Sequence, residues 1–183
     1  MKNEKLEPTR KRPLGKAISV AIAVVIALGG FLALRGLPSP PHEILTAQAF
    51  AASDDAFFSY EITRYPASVE VLPVTPNNPV IGFTVDTWNL GFGSMPANGS
   101  KIRRTIKVAN PYNTPVKIKL AAYGAIAPLV NFPKNYFMLA GFANTTVDIF
   151  ANSGNVTGNF TGEIDVIAAR AKHPLAAAFL WAA

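Results

Sequence analysis

Four Asn-x-Ser/Thr triplets are the residues in this sequence whose type and spacing point to a specific reaction. They are Asn98-Gly99-Ser100, Asn144-Thr145-Thr146, Asn155-Val156-Thr157 and Asn159-Phe160-Thr161. In each, a hydroxyl stands two positions after the asparagine, the acceptor pattern for a sugar on the amide nitrogen. With 13 Asn and 20 Ser plus Thr in 183 residues, chance supplies roughly 1.4 such triplets. The excess leads us to expect N-glycans at Asn98, Asn144, Asn155 and Asn159, on turns at the rim of an external domain.

Other chemistry is thinly provided. There is no cysteine, which excludes a disulfide framework, a thiol nucleophile and a Cys-ligated metal site. His42 and His173 are the only histidines, little material for metal binding or proton transfer. The acids Asp54, Asp55, Asp86, Asp148, Glu163 and Asp165 form no D-x-D-x-D-G calcium loop. Neither a Gly-rich phosphate loop nor a nucleophile elbow is present. The expectation is a protein with no catalytic residues, no cofactor and no metal. Trp88 and Trp181 read as core or interface anchors. Lys101, Arg103, Lys107, Lys117 and Lys119 make a basic row, expected on the wet faces of two neighbouring strands. Nucleic-acid surfaces interleave such rows with aromatics; this row has none and reads as a solvated strand face.

The net charge of +6 first suggests a nucleic-acid or membrane partner. Its location decides between them. Residues 1–16 carry a net +4, Arg35 adds one more, and residues 36–183 carry only +1. Between the charged flanks lie 18 uncharged residues, 17–34, reading AISVAIAVVIALGGFLAL. As a helix this segment is about 27 Å long, enough to cross a hydrocarbon core of about 30 Å with Lys16 and Arg35 reaching outward. Excess Lys and Arg before it predicts a cytoplasmic N-terminus and an outer remainder. The charge is therefore a topology signal, the expected partner is the membrane, and nucleic acid is not expected. Two fates are open for the segment. Small-residue cleavage sites exist at Ala47-Gln48-Ala49 and Ala49-Phe50-Ala51. Their distance from Leu34, across Pro38, Pro40 and Pro41, favours a retained anchor.

The organisation read from the chain is a basic region at 1–16, an apolar helix at 17–34, a Pro/Ala-rich linker at 35–56, a β-domain at 57–170 and an apolar tail at 171–183. In the β-domain the apolar period becomes two. Ile102, Arg104, Ile106 and Val108 alternate with Lys101, Arg103, Thr105 and Lys107; Val116, Ile118 and Leu120 alternate with Lys117 and Lys119; Ile164, Val166 and Ala168 alternate with Glu163 and Asp165. Strict alternation marks strands with one buried and one wet face. Further strands are expected at 59–64, 68–74, 80–87, 136–140 and 145–151. Turns are expected at 76–79, 91–99, 110–113 and 152–155, where Asn, Gly and Pro supply the backbone angles. Seven or eight short strands at this spacing predict an all-β antiparallel sandwich. The tail, Leu175 onward, is read as a strand or short helix folded onto the sandwich, or as a segment that docks into another subunit.

One stretch resembles a known cadence. Phe92-Gly93, Pro96 and Gly99 precede Arg104, Ile106, Val108 and Asn110, and Pro115-Val116 then leads into Ile118 and Leu120. This is similar to the turn–strand–turn–strand pattern of immunoglobulin-like sandwiches in surface proteins, archaeal ones included. Asn159-Phe160-Thr161-Gly162-Glu163-Ile164 resembles a late strand of such domains. The resemblance implies a fold and carries no catalytic residues. A second resemblance is to TasA/camelysin-like filament subunits, archaeal pilins among them, which have an export segment, a short strand after cleavage and one sandwich. It implies that Ala49–Tyr60 is such a strand and completes a neighbour's sheet.

The expected function is a non-enzymatic, membrane-anchored or exported structural protein of a cell surface, with filament assembly by strand donation as its specific form. The alternative is a single-span accessory protein whose outer domain binds a surface layer, a glycan or secretion machinery. Expected partners are the membrane, other copies of the chain, and envelope proteins or glycans.

Overall fold

The computed structural model describes residues 45–74 and 89–180. The basic region, the apolar segment 17–34, the strand expected at 80–87, His42, Asp86, Trp88 and Trp181 lie outside the described residues. Among the described residues no helix is long and apolar enough to cross a membrane.

Among the described residues, nine strands form two sheets that face each other across one core. In chain order they are β1 Ala49–Asp54, β2 Phe58–Leu72, β3 Leu90–Pro96, β4 Lys101–Ala109, β5 Val116–Gly124, β6 Val130–Asn131, β7 Phe137–Leu139, β8 Asn144–Asn152 and β9 Gly158–Ala171. The larger sheet has the order β1-β2-β9-β5-β7, with β3 also on β2; the smaller has the order β4-β8-β6. The all-β expectation holds. The antiparallel expectation holds for every pair except one, because β3 runs parallel to β2.

The two longest strands, β2 and β9, pair from Phe58↔Ala171 to Val71↔Gly158. β2 is one continuous strand across the residues read as two strands, and it contains Pro66. Along its other edge β1 pairs only up to Arg64, and β3 begins only at Ala67. Pro66, which has no N–H, thus sits where that edge passes from one neighbour to the other.

The stretch 91–99, read as a turn, is strand as far as Pro96. Its glycines reflect a bulge rather than a break. Between Ser68 and Glu70 the register shifts by one, so that Gly91 and Ser94 face β2 residues only two apart. Gly93, at φ 75°, falls within this bulge and takes a left-handed angle that side chains disfavour. The bulge brings both Phe92 and Met95 onto the core face, each about 1% exposed.

The core alternates as expected of two facing sheets. Val69 and Val71 from β2, Phe92 and Met95 from β3, Ile118 and Leu120 from β5, and Ile164 from β9 meet Ile106, Val108, Val147 and Ile149 from the smaller sheet. The larger sheet also buries part of its outer face, toward the Phe58–Ala171 end. Phe58, Tyr60, Ile62, Ile167 and Ala169 are almost inaccessible there. β1 lies inside the stretch read as linker, and its residues are largely exposed. The tail forms a short helix, α1 Pro174–Ala177, which packs against β9 and buries Ala176 and Leu180.

Candidate functional site

The four sequon asparagines are all exposed. Asn98 lies in the turn between β3 and β4, Asn155 in the turn between β8 and β9, Asn159 at the start of β9 and Asn144 at the start of β8. In the first, the Ser100 hydroxyl donates to Asn98 Oδ1, so hydroxyl and acceptor amide are already in contact.

The basic row does not form one face. β4 and β5 belong to different sheets and do not pair. Each turns its apolar residues to the shared core, so their basic residues point to opposite outer surfaces. Lys101, Arg103 and Lys107 are exposed on β4, where Arg103 lies 3.9 Å from Asp148. Asp148 also accepts a 2.6 Å hydrogen bond from the Thr105 hydroxyl. Lys117 departs from the expectation of a wet face. It is 7% exposed, and burial pushes its ammonium below the ordinary lysine value. Sequence alternation could not show this, since it registers which face a residue takes and not what covers that face.

Lys117 and Lys119 each lie 5.9 Å from the Tyr136 ring, within cation–π range. Asn135 sets that ring in place. Its Oδ1 accepts from Leu120 N at 2.7 Å and its Nδ2 donates to Leu120 O at 2.9 Å. The side-chain amide thereby takes the part of a neighbouring strand just past the end of the β5–β7 ladder, and Tyr136 follows at φ 53°.

Two acids read as surface candidates are instead buried. Arg64 Nη2 donates to Glu163 Oε2 at 2.7 Å, and Arg64 Nε lies 4.0 Å from Asp165 Oδ1. All three side chains are nearly inaccessible, on the outer face shared by β2 and β9. Asp55 shapes the β1–β2 turn, accepting from the backbone N–H of Phe57 and Phe58 at 2.7 Å each. At Asp54 the hydrogen bond from Ser59, with Lys172 nearby, holds the carboxyl below the ordinary aspartate value; Lys172 Nζ is 3.3 Å from Asp54 Oδ2. Among the described residues no three His, Asp or Glu side chains converge on a metal-sized point.

Sequence reading missed a second cluster. The Tyr112 hydroxyl donates to Glu61, and Arg170 sits 4.1 Å over the Tyr112 ring. The bond to Glu61 holds the phenol above its ordinary pKa. Three distant chain positions meet here, and no local spacing announces them. Two cavities are also invisible in sequence. One, of about 590 Å³, lies between α1 and β7 and is lined by Pro115, Met138, Ala140, Pro174, Ala177 and Leu180 among others. The other, about 510 Å³, lies over the β2–β3 bulge beside Asn159.

Fold and surface together define an all-β sandwich protein whose polar features lie on turns and outer faces. No protein-family model matches the chain, and no curated protein matches it. Among solved structures it is similar to a Burkholderia pseudomallei antigen and type I fimbria protein, with TM-score 0.29 and 7% identity over 61% of this chain and 97% of that one. It is also similar to the cupin domain of Schizosaccharomyces pombe Cnp3, with TM-score 0.21 and 12% identity over 76% of this chain and 69% of that one. Likenesses of this size carry no functional reading.

Proposed function

We propose that this chain is a non-enzymatic structural protein of a cell surface, exported by way of its apolar segment, and that copies join by exchanging β1. The carrying observation is the placement of β1. It is an edge strand that pairs only with residues 59–64 of β2 and contributes no side chain to the core. It is joined to β2 only through the turn at 55–57, and opening that turn extends β1 away from its own β2 and toward another copy. A strand bound mainly by main-chain hydrogen bonds exchanges between identical edges at little energetic cost, because the same bonds form in either place.

Lack of cysteine makes the test clean. Ala52 and Glu61 are Cα partners across β1 and β2, and both are exposed. A chain with Ala52→Cys is co-expressed with a second chain carrying Glu61→Cys, then oxidised mildly. Exchange predicts a disulfide-linked pair of the two chains, resolved on a non-reducing gel. Absence of the linked pair, with the double variant closing only within one chain, overturns the exchange.

A further inference from the structure

Three of the four sequons are brought to one end of the sandwich. The β3–β4 turn holding Asn98 and the β8–β9 turn holding Asn155 are tied together. Gly99 N donates to Gly154 O at 2.9 Å, and Ser153 N donates to Ser100 O at 3.0 Å. Asn159 stands beside them at the start of β9, opposite Glu70. It lies beyond β5, whose ladder with β9 reaches only Gly162. Asn144 is at the far end of β8, opposite Ala109. The tail and the β1–β2 turn are at that far end too, since Phe58 pairs with Ala171.

We propose that the end carrying Asn98, Asn155 and Asn159 is an N-glycosylated pole. Each asparagine is exposed, and each has its hydroxyl two residues on. At Asn159, which lies in a strand, the neighbouring groove gives room. It is about 510 Å³ and is lined by Ser68, Glu70, Gly93, Ser94, Asn159 and Phe160 among others. The carboxylate, the hydroxyls and the aromatic edge are groups that meet a sugar's polar and apolar faces. The donor is a lipid-phosphate-linked oligosaccharide, used by a membrane-bound transferase. The Asn amide nitrogen forms a bond to the anomeric carbon, and the anomeric C–O bond breaks. The lipid phosphate leaves with the electron pair, and the amide nitrogen gives up one proton. Three such chains cover this pole and leave contacts between copies to the strand edges and the opposite end.

The proposal rests on the export part of the functional reading and not on strand exchange. The test is mass spectrometry of peptides from the full chain, recovered from both envelope and cytosol of the producing cells. Discrete sugar masses on the peptides of Asn98, Asn155 and Asn159 are expected in the envelope material. Ser100→Ala, Thr157→Val and Thr161→Val should each remove one of them and leave the other two. Envelope protein with these asparagines bare, with or without sugar at Asn144, overturns the glycosylated pole while leaving export intact. Protein confined to the cytosol overturns both.

Discussion

Asn110 shows how much one side chain can hold in a fold without disulfides. It is almost fully buried. Its Nδ2 donates to Thr114 O at 2.8 Å, Ala140 O at 2.9 Å and Leu139 O at 3.3 Å, and its Oδ1 accepts from Tyr112 N at 3.0 Å. The amide thus closes its own turn and pins it to the end of β7. Removing it takes a partner from four backbone groups, most of them partly buried, each costing up to about 1–3 kcal/mol where fully unmet. Asn110→Ala is expected to lower stability by about 2–3 kcal/mol, with partial rescue by water. Asn113→Ala, exposed on the same turn, should change stability by less than about 0.5 kcal/mol. Urea unfolding of the two variants makes the comparison; equal effects would contradict the account. At this scale the sequence was half legible. Asn110 stood out as a strand-ending residue, but its long-range partners at Leu139 and Ala140 did not, and the burial of Lys117, Glu163 and Asp165 was hidden behind a regular alternation.

The strands divide into those that make the core and one that does not. β9 pairs with β2 on one side and β5 on the other, and its Ile164 is fully inaccessible. β1 sits at an edge with Phe50 76% exposed. Ile164→Ala should therefore cost about 2–5 kcal/mol through lost burial and a residual cavity, and Phe50→Ala under about 0.5 kcal/mol. Denaturant midpoints read both; a large loss at Phe50 would mean that β1 is integral to the fold and would count against its exchange. Strands with one wet face, β4 and β8, were legible from period-two patterning. β3 was not, because its glycines and proline serve a bulged parallel pairing whose partner is remote in sequence. β1 was read partly as linker, and the filament-subunit resemblance implied one strand over Ala49–Tyr60 where the chain instead turns at 55–57 between β1 and β2; Ala49–Ala52 is apolar without alternation. β2 was divided at Pro66 because only the neighbouring strands reveal why that proline fits.

On the scale of the whole molecule, three features are arranged along one axis. The three clustered sequons are at one end; the tail and the β1–β2 turn are at the other. Charge is a separate signal: nearly all of the net +6 flanks the apolar segment and the rest of the chain holds only +1. The account's central claim is that the sandwich stands outside the cell with the basic region on the inner side of the membrane. A membrane-impermeant amine reagent applied to intact producing cells tests this directly. Labelling is expected at Lys101, Lys107 and Lys172, which are exposed, and not at Lys2, Lys5, Lys11 or Lys16 unless the cells are lysed. Sandwich lysines that label only after lysis, or N-terminal lysines that label on intact cells, would contradict the claim.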